Sequence, residues 1–203
     1  MQFPRKITSI ERVLIRLSVF VFIPKVIWTV LTTRQDKNLL NDGQRKLSGK
    51  KLSATSSDIP FSKVKAASKA LKVTINDMVT ACLGSAVKEY MESKGDTKCN
   101  SVNIAIPANI RFEHYPNLEA VQFENKFAPV PITIPLVKDL KESIEKVGKV
   151  TSGLRSKLGE VYATYALTYL SGMVLPYYLL NWTTFFSTRP FTMAFSNTPG
   201  ILK

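Results

Sequence analysis

Few residues in this chain could do chemistry, and the most telling are Asn76 and Asp77 at the start of a strongly periodic segment, Thr74-Ile75-Asn76-Asp77-Met78-Val79. Thr74 and Asp77 stand three apart, a variant of the capping box. The threonine hydroxyl accepts from a backbone N–H of the first turn, while the aspartate carboxylate reaches back and lies at the positive end of the helix dipole. On local physics alone, Asp77 is an N3 cap. The single histidine, His114, would be the natural general base. It is followed by Tyr115-Pro116-Asn117, in a polar loop between two predicted strands, and reads as an exposed loop side chain. Cys82 falls on the apolar stripe of the Asn-Asp helix and Cys99 in a Lys-Cys-Asn loop. Neither a disulfide framework nor a metal site is indicated, and a reducing compartment is slightly favoured.

The elements that must carry these residues are legible in the patterning. Ile75, Met78, Val79, Cys82, Leu83, Ala86, Val87, Tyr90 and Met91 recur at helical spacing, which predicts one helix with that face buried. Upstream, Pro60 opens a short helix with Phe61, Val64, Ala67 and Leu71 inward and Lys63, Lys65, Lys69 and Lys72 outward; the first turn tolerates a residue without an N–H. Val102, Ile104 and Ile106 alternate in a strand from Ser101 to Ile110 that leads to Arg111. A second strand, Asn125 to Ile134, carries Pro129 and Pro131 with Pro135 just beyond. Each proline removes a ladder donor, so an edge or irregular strand is expected. From Asp139 a helix is predicted with Leu140, Ile144, Val147, Leu154 and Leu158 inward, weakened in its middle by Gly148 and Gly153. Ser196-Asn197-Thr198-Pro199-Gly200 reads as a strand ending in a tight turn, Pro199 fixing φ and Gly200 permitting a positive one.

Composition bounds the partners. With 203 residues and 45% hydrophobic content the chain can bury a core, as one domain with an appendage. Lysine and arginine outnumber aspartate and glutamate 28 to 15, a net charge of +13 that suits nucleic acid, phospholipid headgroups or the phosphates of coenzyme A. The basic residues are scattered over several helices and form no aromatic-interleaved stripe, so nucleic acid is not the expected partner. Residues 1–34 read as a basic, apolar membrane-interface region, 35–59 as a polar linker, and 60–203 as the main domain.

Five stretches, taken in order, carry a family resemblance: Thr74 to Val79, Ile106-Pro107-Ala108-Asn109-Ile110-Arg111, Glu124-Asn125-Lys126-Phe127, Val130-Pro131-Ile132-Thr133-Ile134-Pro135, and Phe195 to Gly200. They resemble the C-terminal half of the wax ester synthase/diacylglycerol acyltransferase family, whose pattern includes an Asn-Asp helix, a strand ending in Arg, a Gly-Asn-x-Phe strand and a late Ser-Asn-x-Pro-Gly. The resemblance covers residues 60–200. It implies an α/β fold, a mixed sheet with flanking helices, forming one half of a two-domain, coenzyme A-dependent acyltransferase-like fold. It also implies transfer of a fatty acyl group from acyl-CoA, the co-substrate, to diacylglycerol or a long-chain alcohol, with no bound cofactor. Asn76, Asp77, Arg111, Asn125, Ser196, Asn197 and Gly200 match family positions and become candidates for binding substrate or organising the site. Arg111 suits either an anionic group of the donor or an internal carboxylate. Glu124 stands where the family has glycine, which weighs against close backbone approach there.

The family's His-His-x-x-x-Asp-Gly signature is missing, because His114 has neither the preceding His nor the Asp-Gly. No catalytic residue is therefore expected within this chain. The expectation is an interior piece of a longer enzyme, truncated at both ends and so at the end of its C-terminal domain, or a degenerate relative. The alternative is a non-catalytic lipid-binding or membrane-associated protein. Expected partners are acyl-CoA, diacylglycerol or fatty alcohol, and a membrane or lipid-droplet surface, at the cytosolic face of the endoplasmic reticulum or plasma membrane.

Two segments bear on the membrane. Val13 to Leu31 approaches the ~30 Å hydrocarbon core in length. Lys25 near its middle would cost about 2.5–3.5 kcal/mol on insertion, so an interfacial helix with Trp28 at headgroup level is expected in place of a span. A signal peptide is disfavoured, because Leu17 to Ile23 runs into Pro24-Lys25 and not into a small-residue cleavage site. Val161 to Thr188 carries no charge and is interrupted by Gly172 and Pro176. Two buried core helices, partly facing a lipid tunnel, rank ahead of a bilayer span.

Overall fold

The computed structural model describes residues 8–43, 48–110, 126–155 and 157–197. In chain order the elements are α1 (Ser9–Thr32), α2 (Phe61–Ala70), α3 (Ile75–Ser93), β1 (Ser101–Asn109), β2 (Phe127–Pro135), α4 (Leu140–Arg155), α5 (Leu158–Val174), α6 (Tyr177–Thr188) and β3 (Met193–Ala194). They fall into two compact units that alternate along the sequence. One comprises Met1–Gln35, Ile104–Ile132 and Leu154–Ser196; the other comprises Asp36–Asn103, Thr133–Gly153 and Asn197–Lys203.

The sheet has the order β2-β1-β3 and is mixed. β1 and β3 run parallel, with Ile104 opposite Met193 and Ala105 opposite Ala194. Ile110 N–H donates to the Lys126 carbonyl and Leu136 N–H to the Asn100 carbonyl, at opposite ends of β1, so β1 and β2 are antiparallel. In that register the even-numbered residues of β2 direct their N–H groups to β1, and the odd-numbered ones direct theirs away. Pro129, Pro131 and Pro135 are all odd. Every donor lost to proline therefore lies on the open side of an edge strand, where no ladder bond is forfeited. Side chains alternate accordingly, Ala128, Val130, Ile132 and Ile134 being buried while Phe127, Pro129, Pro131 and Thr133 are exposed.

In the second unit Thr74 caps α3 as expected, its hydroxyl accepting from the Asp77 N–H at 3.1 Å. Its buried face is rotated from the apolar stripe. Asp77, Thr80, Ala81, Gly84, Lys88 and Met91 are buried with Met78 and Val87, whereas Cys82, Ala86 and Tyr90 are exposed. The placement of Cys82 in the core is thus corrected. The cause is close approach. A Cβ on Gly84 would lie 3.1 Å from the Pro135 carbonyl oxygen, and the Ser143 hydroxyl donates to the Ala81 carbonyl at 3.1 Å, so this face needs small residues more than greasy ones. Ala81, Ile144 and Val147 form the core between α3 and α4, with Val73 packed against it.

Asp139 caps α4, accepting from the Glu142 N–H at 2.8 Å. The helix stops at Arg155, so Leu158 opens α5 where one continuous helix was expected. Leu140 is also half-exposed, and in α2 only Val64 and Ser68 turn inward, leaving Phe61 and Leu71 largely exposed. A ten-residue helix lying along the rim of the core has room to bury one narrow stripe.

The Lys88 ammonium, almost fully buried, donates to the Cys99 carbonyl at 2.8 Å and to Asn100 Oδ1 at 3.2 Å, and pairs with Glu92 at 3.4 Å. Lys138 also pairs with Glu92, and its hydrogen bond, ahead of the attraction of both lysines, lowers the Glu92 pKa against partial desolvation. Burial pushes the Cys99 thiol up. The start of the polar stretch is tied to this unit: Asp36 accepts from the Asn103 backbone N–H at 2.6 Å and its side-chain amide at 2.8 Å, and Leu39 N–H donates to Asp96 at 3.1 Å. Residues 48–59 form no helix or strand and are exposed.

In the first unit α1 opens with a reciprocal capping box between Thr8 and Glu11 and packs along α5. Gly159 permits that contact, since a Cβ there would fall 2.6 Å from the Phe22 ring. Lys25, the charge within the apolar segment, meets Glu160 at 2.6 Å. Leu175 is extended, as the residue before a proline must be, and Pro176 starts α6. The expectation of two buried core helices is not met. α5 buries only Val161 and Ala163, and α6 buries nothing, because no further layer among the described residues covers their outer faces.

Gly84→Val is expected to lower stability by about 1–3 kcal/mol through overpacking. Gly148→Ala, whose Cβ meets nothing within 4 Å, should raise it by about 0.5–1 kcal/mol through helix propensity. Urea unfolding of the two variants beside the parent chain checks both signs.

Candidate functional site

The N-terminus of α3 places Asn76 and Asp77 on different faces. Asn76 is exposed, whereas Asp77 retains 7% of its accessible surface. A carboxylate so buried requires partners. One comes from α4: the Thr151 hydroxyl donates to Asp77 Oδ1 at 2.6 Å. The competing acceptor for that hydroxyl, the Gly148 carbonyl, is at 3.3 Å. The shorter, charge-assisted bond is the stronger one.

Asn76 is engaged from the far end of the sequence. The Asn197 side-chain amide donates to Asn76 Oδ1 at 2.5 Å, joining residues 121 positions apart. Two motifs singled out in the sequence, Asn-Asp and Ser-Asn-Thr-Pro-Gly, thus meet through their asparagines. Asn76 with Asn197 and Asp77 with Thr151 form two pairs on different faces of α3, a set of amide donors and acceptors and one carboxylate held by a hydroxyl. It contains no nucleophile paired with a base, so proton transfer must come from elsewhere. Among the described residues no group of three His, Cys, Asp or Glu side chains could hold a metal ion.

Ser196 is exposed just after β3. Arg111, Asn125 and Gly200, together with His114, lie outside the described residues. Thr151 was not singled out in the sequence, although a signal for it exists. It follows Leu140, Ile144 and Val147 at the next step of the α4 stripe, which predicts an inward hydroxyl in need of a partner. A shallow groove of ≈ 390 Å³ runs beside α4, floored by Leu71, Val73, Ile144 and Gly148 and edged by Lys141 and Lys149. None of the four clustered side chains lines it.

Residues 123–201 match the WS/DGAT C-terminal domain, a domain of acyltransferases. The match spans β2, α4 with Thr151, α5, α6, β3 and Asn197, and begins downstream of Asn76 and Asp77. Over this stretch the chain is similar to the C-terminal domain of the wax ester synthase/diacylglycerol acyltransferase family, the resemblance that the motifs carry. No curated protein and no solved structure matches the chain.

Thr151→Val, nearly isosteric, removes the hydroxyl from the buried carboxylate and is expected to cost about 1–3 kcal/mol. Thr151→Ser should recover most of that loss. Thermal and denaturant unfolding of both variants provides the comparison.

Proposed function

We propose that this chain supplies the C-terminal part of an O-acyltransferase that moves a fatty acyl group from acyl-CoA to diacylglycerol or a long-chain alcohol. The observation that carries this reading is the Asn197–Asn76 hydrogen bond, in a chain whose residues 123–201 match the acyltransferase domain. Helix capping explains Thr74. It gives no reason for Asn197 to reach Asn76, whereas a shared site does.

In the reaction, a histidine base from a His-His-x-x-x-Asp-Gly sequence outside these 203 residues takes the proton of the acceptor hydroxyl. The alkoxide oxygen attacks the thioester carbonyl, and the coenzyme A thiolate leaves and is protonated. Asn76, Asp77, Asn197 and Ser196, with Arg111, Asn125 and Gly200, bind substrate or organise the site. No bound cofactor is needed. Both acceptors are water-insoluble, so the protein works at a membrane or lipid-droplet surface, on the cytosolic face of the endoplasmic reticulum or plasma membrane.

α1 suits that surface. It is long and apolar enough to cross a membrane by length and composition, and Leu14, Leu17, Val21 and Trp28 are exposed at helical spacing along it. Its Lys25–Glu160 pair and its packing on α5 favour lying at the interface over spanning. The single, signature-less histidine supports a second reading, a lipid-binding relative without turnover.

The test supplies labelled acyl-CoA with diacylglycerol or hexadecanol. The chain alone should form no ester; the chain joined to a half bearing the His-His-x-x-x-Asp-Gly sequence should. In that joined enzyme Asp77→Asn, which keeps an acceptor for Thr151, should lower kcat at least ~10-fold with little change in Tm. Turnover by the chain alone would contradict the external base. Unchanged kcat in Asp77→Asn would return Asp77 to a purely structural role, and lipid binding without turnover in the joined protein would favour the second reading.

A further inference from the structure

We infer that the elbow between α5 and α6, with the aromatic face of α6, is a second lipid contact that inserts into the headgroup layer of an anionic bilayer. Tyr178, Trp182 and Phe185 stand at i, i+4 and i+7 on α6 and are 69%, 62% and 65% exposed. An amphipathic helix of a soluble domain turns its polar stripe outward, and α6 turns out tyrosine, tryptophan and phenylalanine.

Around the elbow the exposure does not follow one helical face. Residues 168–170, 172–174 and 176–179 are all exposed, with Met173, Val174 and Tyr177 at 69%, 68% and 83%. A projection that is apolar on every side fits a fluid environment that closes around it, whereas a protein partner would need a matching socket. Tyrosine and tryptophan are also the side chains enriched at headgroup level, where an apolar ring and a polar tip are both satisfied. Charge points the same way. No acidic residue follows Glu160, and the chain carries +13. Anionic headgroups therefore meet no carboxylate on this segment.

The contact extends the membrane reading from α1 to a second face. It stands whether or not the chain takes part in acyl transfer, since a lipid-binding relative would use it equally.

The two tryptophans make the test specific. Trp28 reports on α1 and Trp182 on α6. In the full chain carrying Trp28→Phe, Trp182 emission should shift to the blue on phosphatidylcholine vesicles containing phosphatidylserine. It should be quenched most by lipids brominated near the headgroup end of the acyl chain. Phosphatidylcholine alone should give a much smaller response. Phe185→Glu in the same background, with its fold checked by circular dichroism, should weaken partitioning at least tenfold. An unchanged Trp182 spectrum on anionic vesicles overturns the proposal, and the reciprocal Trp182→Phe chain then shows whether α1 binds alone. A blue shift of Trp182 that appears without lipid and grows with protein concentration in sedimentation also overturns it, assigning the face to a second copy of the chain.

Discussion

A buried carboxylate at the start of α3 has to be satisfied, and the hydroxyl that satisfies it comes from another helix. The Thr151–Asp77 bond at 2.6 Å fixes where α4 lies along α3. The Ser143 hydroxyl on the Ala81 carbonyl keeps the same register, and Gly84 lets the end of β2 approach α3 at the Pro135 carbonyl. Between the polar anchors Ala81 packs with Ile144 and Val147, and the directional bonds add a register to that apolar contact. Asn76, one residue before the anchored Asp77, then stands where Asn197 can reach it.

The two units solve different problems. The one holding α3 and α4 buries Asp77, Ser143 and Lys88 with hydrogen-bond partners. The one holding α1, α5 and α6 leaves large apolar side chains in the open, from Phe20 on α1 to Trp182 on α6. Water penalises such a surface in proportion to its apolar area, and a lipid boundary removes the penalty. The proposed transfer to diacylglycerol or a long-chain alcohol would bring the acceptor to such a boundary.

The sequence made some of this legible. Alternation located β1, and the spacing of Pro129, Pro131 and Pro135 foretold an edge strand without revealing that all three share the parity that spares the ladder. Thr74 was readable as a cap because capping is local. Motif order pointed to the family, and the match over residues 123–201 agrees. The failures share one cause. Periodicity counts apolar residues, yet the face of α3 that meets α4 is chosen by size and by hydrogen bonding, so Gly84, Thr80 and Lys88 lie inside while Cys82 and Tyr90 lie outside. Similarly, the uncharged run from Val161 to Thr188 announces low water affinity without saying what replaces water, and α6 buries none of its side chains among the described residues. Thr151 and Asn197 became partners of the Asn-Asp pair only through contacts that no local pattern encodes.

The bond between Asp77 and Thr151 is measured directly by a double-mutant cycle. Asp77→Ala, Thr151→Val and the double variant, compared by denaturant unfolding, should yield a coupling free energy of about 1.5–3 kcal/mol, the range for a hydrogen bond to a charged group. Single-variant effects that add to within ~0.5 kcal/mol would show that the two side chains do not hold α3 and α4 together, and would contradict the account.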